Sequence, residues 1–108
     1  MREIKVLRWT ELTSDGKSRD VSTIELIKIL LNNRDPNKTK KGMDQYRFLR
    51  RVDVACKSAE KENILKLDEI DYSQIRTIIE EEIPPSWGMN GDIFNAIEGF
   101  LNAERSKG

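Results

Sequence analysis

The chain has 108 residues, of which 37% are hydrophobic and 35% charged, and its 19 basic and 19 acidic side chains sum to zero net charge. This balance is typical of one small folded domain and argues against a disordered chain. The longest apolar segment, residues 24–31, is interrupted by Glu25 and Lys28, so it is far shorter than the roughly 20 apolar residues that cross a bilayer. The N-terminus lacks the apolar core of a signal peptide. We expect a single cytoplasmic domain over residues 1–108 with no membrane segment.

The residue types that most often carry catalysis are missing. The sequence contains no histidine and one cysteine, Cys56. Histidine is the commonest general base and metal ligand, so its absence excludes Ser–His and Cys–His catalysis, and a zinc site would need several Cys or His ligands. The six glycines are scattered rather than gathered in a phosphate-binding loop. We therefore expect a protein that is not an enzyme and binds no cofactor or metal, with Cys56 packed in the core.

The N-terminal segment predicts a β-hairpin. Residues 3–10 are rich in β-branched and aromatic side chains, and Asp15 and Gly16 follow them. An Asp-Gly pair favours a tight hairpin turn, because glycine adopts the positive φ that such a turn requires. We expect the hairpin to cover residues 3–21, and the short apolar run 64–67 to pair with it as a further strand.

Two helices are predicted in the first half of the chain from apolar side chains at helical spacing. The first covers residues 23–32 and begins with Ser22 and Glu25, which have the spacing of a capping box. The second covers residues 43–59. Its apolar stripe, which we expect to form the centre of the core, comprises Phe48, Leu49, Val52, Ala55, Cys56 and Ala59.

Two more helices are predicted in the second half. One follows an N-cap at Asp71 and is ended by Pro84 and Pro85, and the other opens at Asn90 and frays over residues 104–108. The apolar face of the last helix comprises Ile93, Phe94, Ile97, Phe100 and Leu101. The predicted fold is therefore α+β, with a small antiparallel β-sheet, made of the N-terminal hairpin and one short strand, packed with about four α-helices.

The charges are unevenly distributed along the chain. Residues 34–57 carry eight basic and three acidic side chains, a difference of +5, whereas residues 60–108 carry five basic and eleven acidic ones, a difference of −6. A molecule that is electrically two-sided suits self-association or a charged protein partner. A charged segment can equally be a solvated surface, because exposed charges interact only weakly.

An acidic run and a tryptophan are the first candidate contact residues for a partner. Glu80, Glu81 and Glu82 lie in the last turn of the third helix, where the helix dipole disfavours negative charge. They could dock a basic partner, form a solvated surface or hold a metal. Trp87 follows two prolines and a serine; it would be a strong interface anchor if exposed, and otherwise it would close the core.

A basic group is the second candidate surface. Its members are Lys38, Lys40, Lys41, Arg47, Arg50 and Arg51. They could follow a phosphate backbone, but Asp44 and Asp53 interrupt them and the whole chain is neutral, which is not typical of nucleic-acid-binding modules. We therefore expect a protein partner or self-association rather than nucleic acid. A nucleic-acid-binding accessory protein that uses residues 34–57 is the alternative.

Several segments carry a resemblance to a known group of proteins. They are the Asp-Gly hairpin, the capped helix over residues 22–33, residues 44–51, and residues 65–69 before an isoleucine-rich helix. In this order they resemble small, mostly uncharacterised bacteriophage and prophage proteins of similar length, over nearly the whole chain. The resemblance implies an accessory or assembly protein that works through protein contacts, and it supplies no catalytic residue.

Overall fold

The computed structural model describes residues 1–34 and 42–105, with all side chains in these ranges except those of Pro85, Ser86, Glu104 and Arg105. The elements follow the order β1 (Arg2–Lys5), β2 (Arg8–Leu12), β3 (Ser18–Ser22), α1 (Thr23–Asn32), α2 (Met43–Glu62), β4 (Ile64–Leu67), α3 (Glu69–Glu82), a 3-10 helix (Pro85–Met89), α4 (Gly91–Leu101) and β5 (Glu104–Arg105). The predicted α+β class is confirmed. In the described ranges, no helix combines the length and apolarity needed to cross a membrane.

The strands form two separate antiparallel sheets. One has the order β4-β1-β5, and the other consists of β2 and β3 alone. The predicted hairpin over residues 3–21 is therefore too long, because β1 belongs to the other sheet. Residues 64–67 do form a strand, and they pair with β1 so that Ile4 lies opposite Leu65. The C-terminal segment is predicted to fray over residues 104–108, but residues 104–105 pair with the other edge of β1, and residues 106–108 lie outside the described residues.

The hairpin turn uses the predicted glycine in a three-residue loop. Gly16 has a φ of +82°, its N–H donates to the carbonyl of Thr13 at 3.0 Å, and the N–H of Thr13 donates to the carbonyl of Lys17 at 2.7 Å. This is a type I turn followed by a left-handed glycine. The hydroxyl of Thr13 and the N–H of Lys17 both donate to the carboxylate of Asp15, and these hydrogen bonds lower the pKa of Asp15.

The helix starts at Ser22 and Asn90 follow the sequence prediction. The hydroxyl of Ser22 accepts from the N–H of Glu25 at 3.4 Å, and the side-chain oxygen of Asn90 accepts from the N–H groups of Asp92 and Ile93 at 2.9 and 3.2 Å. Each cap satisfies backbone donors that the first helical turn leaves without a partner. The bounds of α1 are those predicted.

One face of the three-stranded sheet packs on the helices and the other faces solvent. Ile4 and Leu65 are buried, whereas Glu3 and Lys66, which lie opposite each other, are exposed, as the two-residue period of a half-buried antiparallel sheet requires. The main core combines residues of the first described range, 1–34, with residues of the second, 42–105. Its buried members are Ile4, Val6, Ile24, Ile27, Leu30, Phe48, Val52, Cys56, Ala59, Leu65, Leu67, Tyr72, Ile75, Ile78, Ile79, Phe100 and Ala103.

A smaller apolar cluster lies beneath the hairpin. Its buried members are Val21, Leu26, Ile93 and Ala96. Glu11 joins the hairpin to the start of α4, because its Oε1 accepts from the indole N–H of Trp9 and from the amide of Asn90, each at 3.0 Å. The hairpin is thus held by its own cluster and, at the start of α4, by this polar junction.

Tyr72 of α3 connects the main core to β1 and to the end of α4. Its ring stacks on Phe100 of α4 with centroids 4.9 Å apart, and its hydroxyl donates to the carbonyl of Phe100 at 2.7 Å. The guanidinium of Arg2 lies 4.7 Å from the ring centroid, donates to Glu69 at 2.8 Å and to the carbonyl of Ala103 at 2.6 Å. These contacts tie α3 to β1 and to the segment between α4 and β5.

The apolar stripe of α2 is confirmed at four of its six positions, and Ala55 is only partly buried. The buried residues of this helix are Gln45, Phe48, Val52, Cys56 and Ala59, while Leu49 is 39% exposed. Each residue of an α-helix is rotated by about 100° from the preceding one, and the face of α2 that carries Phe48, Val52 and Cys56 is the one buried against the core, so Leu49 lies at its edge. Burial raises the pKa of Cys56 to about 11, so the thiol stays protonated and unreactive at neutral pH.

The contrast between Phe48 and Leu49 provides a test of the register of α2. Phe48→Ala is expected to lower the free energy of unfolding by about 3–5 kcal/mol, because it leaves a cavity in the core. Leu49→Ala is expected to cost less than about 1 kcal/mol, because the leucine is already partly in solvent. Urea denaturation of both variants measures the difference. Equal losses would show that the helix is rotated from the described orientation.

Candidate functional site

Trp87 packs between the two apolar clusters and contacts both. Its side chain is partly buried, and it lines a narrow apolar space together with Leu26 and Ile97. This is the packing that the core alternative predicts. An interface role would be limited to the part of the ring that remains at the surface.

The three glutamates of the acidic run have different surroundings. Glu82 pairs with Arg34 through two contacts, of 3.3 and 2.9 Å, and both side chains are more than four-fifths buried. Glu80 pairs with Arg76 one turn earlier in α3 at 3.1 Å, and this hydrogen bond raises the pKa of Arg76. Glu81 is exposed. Two of the three carboxylates therefore have basic partners within the chain, which offsets the unfavourable helix dipole.

Three members of the basic group, Lys38, Lys40 and Lys41, lie outside the described residues. Its remaining members lie on α2, and Arg47 is exposed with Asp44 at 3.5 Å.

Arg51 of the basic group is committed to Asp71 of α3. Its Nε and Nη2 donate to the two carboxylate oxygens of Asp71, each at 2.9 Å, and this hydrogen bonding raises the pKa of Arg51. The side chain of Asp71 is only 4% exposed. The prediction that Asp71 caps α3 is wrong, because α3 begins at Glu69 with Asp68 at its N-cap. The buried carboxylate serves as the partner of Arg51 instead.

A surface groove lies between α2 and the turn from β4 to α3, and we call it the α2–β4 groove. It encloses about 340 Å³. Its lining residues are Met1, Arg50, Arg51, Val54, Ala55, Lys66, Leu67, Asp68 and Asp71. It therefore contains two arginines of the predicted basic group, and neither the acidic run nor Trp87.

The α2–β4 groove combines exposed apolar groups with loosely held charges. Met1 and Val54 are each 56% exposed. The guanidinium of Arg50 lies 3.9 Å from Asp53, and the ammonium of Lys66 lies 3.9 Å from Glu62. Both pairs are largely in solvent, where an ion pair contributes little stability. The groove can therefore exchange these partners for groups of another molecule.

Sequence analysis did not identify Met1, Val54 or Lys66 as site residues. Val54 carried the one usable signal, because it is an aliphatic residue off the apolar stripe of α2 and among its charged positions. Met1 and Lys66 had no such signal, since their place in the groove depends on the pairing of β1 with β4.

A second recess, of about 550 Å³, lies along the outer face of the hairpin. Its lining residues are Arg8, Trp9, Thr10, Asp20, Val21, Ser22, Glu25 and Glu60. Arg8 is already engaged, because its guanidinium donates to the side chain of Asn63 and to the carbonyl of Glu60. The recess is polar and acidic. Over residues 1–34 and 42–105, however, the carboxylates and the cysteine do not form a group of three or more that could hold a metal ion.

The buried polar groups of the described residues are satisfied within the chain. Gln45, for example, accepts from the amide of Gln74 at 3.0 Å, and each buried side-chain nitrogen or oxygen in the described ranges has a hydrogen-bond partner.

Comparisons of the chain with models of protein families, with curated proteins and with solved structures found no match.

The packing of Trp87 leads to a stability prediction. Trp87→Ala is expected to lower the free energy of unfolding by about 3 kcal/mol, because it removes a large side chain that packs against both clusters. Met89→Ala, in the same 3-10 helix, is a matched control: Met89 is 90% exposed, and its loss should change stability by less than about 0.5 kcal/mol. Thermal and urea unfolding distinguish the two. Equal and small losses of stability in the two variants would favour the alternative in which Trp87 is an interface residue.

The pair of Arg51 and Asp71 leads to a second prediction. Arg51→Ala is expected to destabilise the fold more than Arg47→Ala, because it leaves the buried carboxylate of Asp71 without its partner. Additional replacement of Asp71 by Ala should recover part of the loss, since the unpaired charge is then absent. Urea denaturation midpoints of the three variants decide this. If Arg51→Ala and Arg47→Ala have the same effect, the pair has no structural role.

Proposed function

We propose that this protein is a non-enzymatic protein-interaction module and that the α2–β4 groove is its contact surface. The observation that supports this most directly is the half-exposed apolar pair of Met1 and Val54 within a concave, charged surface. Apolar groups that remain in water within a groove are typical of sites that bind another molecule.

The charges of the described residues favour this function over the alternatives. Buried polar groups have partners inside the chain, so no unpaired buried group is offered for acid–base chemistry. On α2, Arg47 and Arg50 each have a carboxylate within 4 Å. A nucleic-acid site would instead present a continuous row of basic side chains along the phosphate backbone, and these acidic neighbours interrupt it, so nucleic-acid binding is the less favoured alternative.

The resemblance to small bacteriophage and prophage proteins adds a biological setting to the proposal. In that setting the module is an accessory or assembly protein, and its partner is another protein or a second copy of the chain. A role without catalysis agrees with the absence of histidine from the sequence and with the protonated state of Cys56 at neutral pH.

The proposal is tested by site-specific photo-crosslinking in cells of the organism that carries the gene. A crosslinking amino acid at Val54 is expected to capture a protein. A second variant carries the crosslinker at Met1 together with Val54→Asp. It should capture nothing, because Val54→Asp places a charge on the apolar floor of the groove. The free energy of unfolding of Val54→Asp should change by less than about 0.5 kcal/mol, since Val54 is at the surface.

Leu12 supplies the control position for this experiment. It is 83% exposed and lies on the hairpin, outside the α2–β4 groove, so a crosslinker there should not capture the same protein. Sedimentation of the purified chain shows whether the captured protein is a second copy. Equal capture at Leu12 and Val54, or capture of nucleic acid at Val54, would contradict the proposal.

A further inference from the structure

The size of the α2–β4 groove limits what it can hold. Its volume of about 340 Å³ is near the lower end of the roughly 300–1,000 Å³ typical of sites for small ligands. The groove is open at the surface rather than enclosed, and its volume accommodates a few side chains of a partner. The partner is therefore expected to insert a short segment.

The floor and one wall of the groove select an apolar side chain. Val54 and Ala55 come from α2, Leu67 from the end of β4, and Met1 precedes β1 beside it. Of these, Met1 and Val54 have most of their surface still to bury, so an aliphatic or aromatic side chain placed between them removes apolar area from water on both sides.

The charged residues of the groove differ in how available they are. The lining carries three basic and two acidic side chains. Arg51 and Asp71 neutralise each other through two hydrogen bonds of 2.9 Å. Asp68 is exposed at the N-cap of α3, and its side chain makes no capping hydrogen bond. The lining therefore offers two available cationic side chains, Arg50 and Lys66, against one available carboxylate, that of Asp68.

The neighbouring surface of α2 is electrically balanced and adds no net charge. Arg47 lies one turn before Arg50, and Lys57 lies one turn after Val54, with Asp44 and Asp53 as the acidic residues paired with them. Because the pairs of Arg50 and Lys66 are 3.9 Å long and solvent-exposed, a carboxylate of a partner can replace Asp53 or Glu62 at little cost.

We propose that the α2–β4 groove binds a short segment of a partner protein in which an acidic residue stands beside an apolar one. The apolar side chain contacts Met1 and Val54, and the acidic side chain contacts Arg50 and Lys66. This inference rests on the proposed function and specifies the chemistry of the partner at the same site. The apolar contact supplies lasting affinity, and the complementary charge supplies selectivity and a faster encounter.

A random peptide library displayed on the surface of yeast and selected with the purified protein tests the inference. Selected peptides are expected to carry Asp or Glu within a residue or two of Leu, Ile, Phe or Met. Synthetic copies of them should bind at least about tenfold more weakly to Val54→Asp, and likewise to the double variant Arg50→Glu/Lys66→Glu. Peptides with Asn or Gln in place of their acidic residues should lose affinity to a similar extent.

The double variant Lys5→Glu/Arg19→Glu is the matched control. It makes the same change in net charge at two exposed positions outside the groove, so it should bind the selected peptides as the unmodified chain does. Urea denaturation midpoints close to that of the unmodified chain establish that all three variants fold.

The outcomes separate the inference from the proposed function. Selected peptides that require Val54 but show no preference for acidic residues would overturn the inference and leave the interaction module in place. A selection that yields no peptide sensitive to Val54→Asp would overturn both. Binding of single-stranded or duplex DNA that is lost in Arg50→Glu/Lys66→Glu but kept in Val54→Asp would replace both with the nucleic-acid alternative.

Discussion

The stacked pair of Tyr72 and Phe100 is the contact on which the arrangement of the other elements depends. The phenol hydroxyl holds the end of α4 through a carbonyl, and the guanidinium of Arg2 lies over the same ring while it binds Glu69 and Ala103. One buried aromatic residue thereby sets the start of α3, the position of β1 and the return of the chain to β5. Because Tyr72 follows Asp71 directly, the same contact orients the carboxylate that holds Arg51 at the α2–β4 groove.

Local signals predicted the parts of the fold that depend on neighbouring residues. Gly16 turns the hairpin, and Ser22 and Asn90 cap their helices, because each effect acts within three or four positions of the chain. The errors concern distant pairing. Periodicity could not assign β1 to β4 rather than to the hairpin, and Asp71 has the residue type of a helix cap although its partner, Arg51, lies 20 positions earlier.

The candidate site shows the same division. A charge count along the chain found the basic residues of α2 and the acidic run of α3, but it could not reveal that Glu82 is engaged by Arg34 and that Arg51 is engaged by Asp71. Which charged groups remain available to a partner depends on the ion pairs that form in the folded structure. In the α2–β4 groove the available groups are Arg50 and Lys66, whose ion pairs are 3.9 Å long, the exposed carboxylate of Asp68, and the apolar Val54 that the helical pattern leaves outside the core.

The position of β1 at the centre of its sheet has a consequence for folding during synthesis. The strand pairing of the hairpin and the helical hydrogen bonds of α1 can form once residue 32 has left the ribosome, because they are local, although the packing of both elements on α4 comes later. β1 is made before them, yet one of its neighbours begins at Ile64 and the other at Glu104. Ile4 must therefore wait for almost the whole chain before its strand is enclosed, so the nascent protein keeps an apolar, unpaired segment available to chaperones until the sheet closes last.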